Sequence, residues 1–244
     1  MEVWRTAAAV TVVLAAVGAA LVWNTQRSQA ALMRVDPDAT VGAARQYAVA
    51  HGRGVFADRC AACHGRDGRG GLGPNLTDRD WLYGTGRAGD IEQVVAYGIR
   101  SYGPRSFDQA DMPAYASARP YARYPIPSLK PPEIADVVAY LAYLRKGAPT
   151  PAAVRGGAIF QNRGGCYDCH GTDGRGDPAI GTPNLTDNIW LHGDGSDAAI
   201  YQTIAQGSAG RMPAFAGRLS DVRIREVALY VQSLSAQTAE AGEK

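Results

Sequence analysis

Cys60-Ala61-Ala62-Cys63-His64 and Cys166-Tyr167-Asp168-Cys169-His170 are two copies of C-x-x-C-H, and together they hold all four cysteines of the 244-residue chain. The spacing puts two thiols on one turn with an imidazole directly behind them. This is the attachment pattern of haem c, in which the thiols add to the two vinyl groups and the histidine meets the iron. A zinc site would need four ligands brought together, and a redox-active C-x-x-C needs a βαβ setting. Neither accounts for a histidine after each pair. Two copies call for two covalently bound haem c groups, with His64 and His170 as iron ligands.

Outward from the motifs, the methionines point the same way. Of four in the chain, Met1 and Met33 lie in or beside an N-terminal apolar stretch. The others occupy matching phrases, Met112-Pro113-Ala114-Tyr115 and Met212-Pro213-Ala214-Phe215, 48 and 42 residues after the nearest preceding motif histidine. Methionine is usually core filler, yet two in equivalent phrases suit two irons. A thioether opposite histidine raises the potential and closes the iron to substrates. This predicts electron transfer, with no triad, acidic pair or open metal site asking for catalysis. His51 and His192 hold non-equivalent places, so neither is expected to be a ligand.

The rest of the second half also repeats the first. Gly73-Pro74-Asn75-Leu76-Thr77-Asp78-Arg79-Asp80-Trp81 returns as Thr182-Pro183-Asn184-Leu185-Thr186-Asp187-Asn188-Ile189-Trp190. Pro74 and Pro183 are placed to offer a carbonyl to the motif imidazole, or simply to make a turn. Trp81 and Trp190 are candidates for the haem edge or the core. Phe160 corresponds to Phe56, with two extra residues before its cysteine. Duplication of one haem-binding unit follows.

Small and aromatic residues, Gly52 and Phe56, mark one face of a helix over about 43–59 that leads into Cys60. Its expected partner is the helix beginning at Pro132, with Ile134, Val137, Val138, Leu141 and Leu144 at helical spacing and Gly147 beyond its end. Thr6–Trp23 carries no charge and as a helix spans about 27 Å, close to the ~30 Å hydrocarbon core. Trp4 and Trp23 flank it. A cleaved signal peptide with a Ser28-Gln29-Ala30 site is the rival reading; length favours a retained anchor. Arg5 and Arg27 leave its orientation open, but haem c is installed outside the bacterial cytoplasm. The expectation is therefore a single-pass inner-membrane protein with its haem units in the periplasm. The organisation read is an anchor and polar connector at 1–42, cytochrome c domains at 43–147 and 148–236, and a disordered tail at 237–244. The fold class is all-α, with a transmembrane helix before two tandem class-I-like cytochrome c domains. A net charge of +2 is too small to argue for a nucleic-acid partner, and none is expected. The charge is uneven, +4 over 43–147 and −1 over 148–236. The Pro-, Tyr- and Arg-rich stretch 116–129 has no counterpart in the second half.

Cys-x-x-Cys-His-Gly, Asp-Gly-x-Gly, Pro-Asn-Leu-Thr-Asp, Trp-Leu-Tyr-Gly, Gly98-Ile99-Arg100-Ser101 and Met-Pro-Ala-Tyr/Phe, mostly in two copies, resemble the dihaem cytochrome c subunit of cbb-type haem–copper oxidases. The resemblance covers about 43–236. It implies a membrane-anchored subunit that takes electrons from a cytochrome c or the cytochrome bc complex and passes them to the oxidase's catalytic subunit. It further implies that Cys60, Cys63, His64 and Met112 hold one haem, and Cys166, Cys169, His170 and Met212 the other. The chain departs from that family at its N-terminus and in the loop after Met112. The cytochrome subunit of a periplasmic dehydrogenase is the alternative in the same redox class. A dihaem peroxidase would need a displaceable ligand, against which the two equivalent methionines argue.

Overall fold

The structure, a computed structural model, describes residues 2–107, 111–117, 127–191 and 193–242. Among these it is helical, with isolated backbone bridges and no strand. In chain order the helices are α1 (Glu2–Met33), α2 (Gly42–Arg59), α3 (Ala61–His64), α4 (Ala88–Tyr97), α5 (Pro131–Lys146), α6 (Pro151–Phe160), α7 (Tyr167–His170), α8 (Asp197–Gln206) and α9 (Asp221–Gly242). A 3-10 turn, Pro37–Ala39, joins α1 to α2, with the Asp36 carboxylate accepting from the Asp38 N–H at 2.8 Å.

Local chemistry sets the helix ends. Glu133 accepts from the Lys130 N–H at 2.7 Å, ahead of Pro131 and Pro132 in the first turn of α5. Gly147 ends that helix in the left-handed conformation. The Thr150 and Ser196 hydroxyls accept from Ala153 and Ala199, starting α6 and α8.

Helix α1 is longer than expected. The stretch 26–33, read from the sequence as polar connector, continues the helix to Met33 because Leu32 has an apolar site to fill: it is fully buried with Ala48, Ala88 and Leu229. Val10, Val13, Leu14, Val17, Leu21 and Trp23 are exposed. Val10–Met33 is the one helix among the described residues apolar and long enough to cross a membrane. At its foot Arg225 donates to the carbonyls of Leu32 (3.2 Å) and Val35 (2.8 Å) and pairs with Glu92 at 2.5 Å. The far end also differs from expectation. Residues 237–242, read as disordered tail, extend α9.

The largest correction concerns which helices meet. Helix α2 crosses α9, not α5, and α5 packs on α6. A Cβ built on Gly52 would lie 2.0 Å from the Glu226 carbonyl oxygen, and one on Gly156 1.9 Å from that of Asp136. Gly52 and Phe56 do mark a close crossing face, as expected, but the face meets the other half of the chain. Phe56 lies 5.3 Å from Tyr230, and Phe160 5.2 Å from Tyr140. The four-residue connection Gly147–Thr150 explains the second pair, because short loops join antiparallel neighbours. Helix α9, the equivalent of α5, returns to the free face of α2.

Two apolar clusters result, each mixing the halves. One gathers Val55, Phe56, Ile91 and Val95 with Phe215, Ile224, Val227 and Val231. The other gathers Tyr115, Leu129, Ile134, Val137 and Leu141 with Ile159, Phe160, Ile200 and Ile204. The sequence repeats are therefore not the packing units. One unit is built from 42–98 and 212–235, and the other from 112–206.

Candidate haem-binding sites

Helix α2 delivers Cys60 at its C-terminal cap, and one further turn carries Cys63 and His64. Cys63 N–H and His64 N–H both donate to the Cys60 carbonyl, at 3.1 and 3.0 Å. Gly65, at φ +78°, ends the turn, and its carbonyl and that of Gly68 order the loop that follows. The loop folds back on the imidazole. Gly70 donates to the His64 carbonyl and Gly73 to that of Cys63. A Cβ at Gly73 would lie 2.7 Å from the His64 ring, so this backbone covers the ring face.

His64 Nδ1 lies 3.0 Å from the Pro74 carbonyl, and His170 Nδ1 lies 3.2 Å from that of Pro183. A carbonyl only accepts, so Nδ1 carries the proton and Nε2 keeps its lone pair for a metal. Burial holds both imidazoles below the ordinary histidine range, with the carbonyl bond opposing it, which also favours the neutral ligand. The Pro-Asn-Leu-Thr phrase is thus a positioning device. Asn75 accepts from the N–H and hydroxyl of Thr77, both at 2.9 Å, and Asn184 does the same for Thr186. Leu76 and Leu185 anchor the same loops in the two clusters. The asparagines were legible as members of a repeat, but only the fold shows them tying the turn that presents the proline carbonyl.

The second site has the same plan with an insertion. His170 N–H donates to Cys166 at 2.9 Å, and Gly171 at φ +75° ends the turn. The three extra residues before Pro183 form a small turn closed by Asp177 and Thr182, and the Thr182 hydroxyl donates to the Cys169 carbonyl at 2.6 Å. The Tyr115 hydroxyl donates to the Gly164 carbonyl at 2.6 Å beside Cys166. Phe215 stands in the equivalent place of the first site and has no such bond to give.

Among the described residues no disulfide joins the cysteines, and burial pushes the Cys60 and Cys166 thiols up to about 11. Both are partly buried beside apolar side chains and set on one turn with the second thiol. Trp81 and Trp190 pack against the two clusters, each with its indole nitrogen against a glycine, Gly86 or Gly195. His51 is exposed and stacks on Tyr47 at 4.1 Å, away from both clusters. His192 and most of the 116–129 loop lie outside the described residues.

The methionines are the surprise. Met212 packs against the cluster of Phe56 and Cys60, and Met112 against that of Phe160 and Cys166. The same-half pairing expected from sequence order does not occur. The donors present at each site are two thiols, an imidazole with Nε2 free and a thioether, and they fit a covalently attached haem.

The comparisons with known proteins agree. A family model described as cytochrome c oxidase, cbb3-type, subunit III matches residues 151–231, and one described as cytochrome c matches 49–145. Cytochrome c domains imply covalently bound haem c. The chain is similar to the cbb3-type cytochrome c oxidase subunit FixP of Bradyrhizobium sp. strain ORS 278, 42% identical over 76% of this chain and 60% of that protein. FixP of Sinorhizobium medicae is 36% identical over 93% of this chain and 74% of the relative. CcoP of Cereibacter sphaeroides is 37% identical over 78% and 62%. The chain spans about 60% of the length of the first of these relatives. A solved chain of a Kuenenia stuttgartiensis reducing HAO-like complex, at 22% identity and a TM-score of 0.21, is too distant to bear on the fold. With Cys-x-x-Cys-His, its proline carbonyl and the Met-Pro-Ala phrase each present twice, and relatives matched along most of its length, the chain belongs to the FixP/CcoP family of cbb3-type cytochrome c oxidase subunits.

Proposed function

We propose that this chain is a membrane-anchored dihaem cytochrome c that relays electrons to the catalytic subunit of a cbb-type terminal oxidase. Its donor would be a cytochrome c or the cytochrome bc complex, and its haem units would stand in the periplasm of an inner membrane. The observation that carries the reading is the pair of matched sites, each joining two thiols, a carbonyl-oriented imidazole and a methionine.

Bound at these sites, haem would supply one-electron ferrous–ferric chemistry. The chain's own residues do the rest. Cys60 and Cys63, and Cys166 and Cys169, fix each ring by thioether bonds. Pro74 and Pro183 hold His64 and His170 in the tautomer that ligates. Met112 and Met212 would each offer a thioether to an iron. The buried apolar clusters, with Trp81 and Trp190 packed against them, would exclude water from a haem held there.

The anchor holds this relay at a fixed distance from the bilayer, since Arg225 and Leu32 fasten α1 to the first unit. Two measurements test the proposal together. Pyridine haemochrome assay of the denatured, acid–acetone-extracted chain should give two haems per chain. Affinity purification from membranes should bring a haem–copper catalytic subunit that oxidises reduced cytochrome c. One haem per chain, or co-purification of a dehydrogenase without an oxidase, would overturn it.

A further inference from the structure

The two packing units follow one plan closely enough to pair their helices residue by residue. Gly52 meets the Glu226 carbonyl as Gly156 meets that of Asp136, and Phe56 meets Tyr230 as Phe160 meets Tyr140. Helix α9 thus stands where α5 does, with Arg225 at the place of Ala135 and Leu229 at that of Ala139. The Phe215 N–H donates to the Val95 carbonyl as the Tyr115 N–H donates to that of Ile204. Helix α4 thus stands where α8 does, with Ala88 at the place of Asp197, Gly89 at that of Ala198 and Glu92 at that of Tyr201.

In the first unit the groove between α4 and α9 is filled. Leu32, at the end of α1, is fully buried there against Ala88 and Leu229, and Arg225 donates to the carbonyls of Leu32 and Val35. The 3-10 turn that follows closes over Gly89, where a built Cβ would lie 3.0 Å from Asp38 Oδ2. In the second unit the same groove, between α5 and α8, is open among the described residues. It encloses about 410 Å³, lined by Ala135, Val138 and Ala139 with Ala198, Tyr201 and Gln202. Ala135 and Asp197 are exposed where Arg225 and Ala88 are buried, and Ala139 is half-buried where Leu229 is fully buried.

We infer that the α5–α8 groove is a docking site for a partner chain, which inserts the end of an apolar helix with one leucine-sized side chain, as α1 inserts Leu32 into the first unit. A groove of this size admits such a side chain, and its burial supplies the attraction. The rim defines how the guest differs from α1. Ala135 offers no guanidinium to the guest's last carbonyls, so the Tyr201 hydroxyl and the Gln202 amide nitrogen are the donors; the Gln202 carbonyl already accepts from Gln206. Ala198 carries the methyl that Gly89 lacks, so no turn closes over it as tightly as Pro37–Ala39 does. Asp197, exposed at the rim, favours a lysine or arginine at the guest's end, where a cation also suits the helix dipole. A second copy of this chain cannot supply its own α1, because its Leu32 is already buried at home. The inference does not depend on what the two Cys-x-x-Cys-His turns hold.

The test is photo-crosslinking of the full chain in the membranes of the bacterium that makes it. The photoreactive residue p-benzoylphenylalanine replaces Gln202 in one variant and Ala135 in a second, both exposed positions on the groove, and Val154 on α6 serves as the control. Sequencing of the adduct peptide should give, from both groove positions and not from Val154, a segment of another protein in which an apolar helix ends on an aliphatic residue followed by lysine or arginine. Adding Ala139→Glu to the Gln202 variant should cut that adduct about tenfold or more, because an unpaired carboxylate under the guest costs at least that factor. Adducts with lipid alone or with this chain itself, equal yield from Val154, or no adduct at either groove position would overturn the inference. These arms decide it even where Ala139→Glu prevents folding.

Discussion

Replacing Gly52 by alanine puts the crossing of α2 and α9 to a direct test. Alanine is the better helix former by about 1 kcal/mol, so propensity alone predicts stabilisation. The structure predicts the opposite. The new methyl would lie 2.0 Å from the Glu226 carbonyl oxygen and 2.8 Å from Tyr230 Cβ, while real contacts of this kind do not fall below 3.0 Å. Neither obstacle can rotate away, because one is backbone and the other the first atom of a side chain. The helices must separate by an ångström or more, which loosens the packing of Phe56 on Tyr230. Overpacking of a tight interface costs about 1–3 kcal/mol, and an unyielding obstacle places this case at the upper end. Net of the propensity gain, the loss is about 2 kcal/mol. With a urea m-value of about 2 kcal/mol/M, the unfolding midpoint falls by about 1 M. Gly54, two residues along the same helix, is exposed with nothing within 4 Å of a built Cβ. Gly54→Ala is therefore the internal control and should raise the midpoint by a few tenths of a molar unit, about 0.5–1 kcal/mol. Urea titration of the solubilised holo protein, followed by far-ultraviolet circular dichroism, measures both. If Gly52→Ala were as benign as Gly54→Ala, the α2–α9 crossing would be wrong.

Glu226 is 1% exposed, its carboxylate oxygens have no hydrogen-bond partner, and Arg223 approaches only to 3.8 Å. Burial raises its pKa, with Arg223 and His51 opposing, so the folded state favours the protonated acid and loses stability as pH rises through the raised value. Glu226→Gln should add about 1–3 kcal/mol at neutral pH and nothing below the ordinary carboxylate range, as read by urea unfolding at the two pH values; an equal gain at both would contradict this. Arg225→Ala should cost about 3 kcal/mol or more, because it strands Glu92 and two carbonyls at the foot of the anchor. Limited proteolysis within 33–41 should then accelerate, and an unchanged rate would rule out this fastening. If α1 is a retained anchor, the chain stays with membranes after a high-salt wash, and a mature N-terminus at Ala31 would show otherwise.

Much of the site was legible because it is made of short-range chemistry. Cys-x-x-Cys-His is one helical turn, and its thiols and imidazole are neighbours whatever the rest of the chain does. The proline carbonyl is held to the ring by a loop of ten or thirteen residues, which a repeated phrase discloses. Helices α2 and α5 followed from residue spacing, with Pro132 at one end of α5 and Gly147 at the other, whereas α4, α6 and α8 were not read from the sequence. The extension of α1 to Met33 was not legible, because Gln26 to Ala31 is polar enough to read as connector. Only the site that receives Leu32 keeps the helix going.

What the sequence determined is the pair of Cys-x-x-Cys-His turns, the proline phrase that meets each imidazole and the all-α plan. The tertiary structure alone decided which half supplies each methionine and final helix. The physical reason is the duplication. Phe56 and Phe160 present the same face, α5 and α9 offer the same complement, and Met112 and Met212 stand in the same phrase, so local pattern cannot distinguish a partner from its copy. The choice falls to chain connectivity. The short Gly147–Thr150 link folds α5 back onto α6, and the isolated backbone bridges Ile99–Met212 and Met112–Ser208 tie each methionine to the other half.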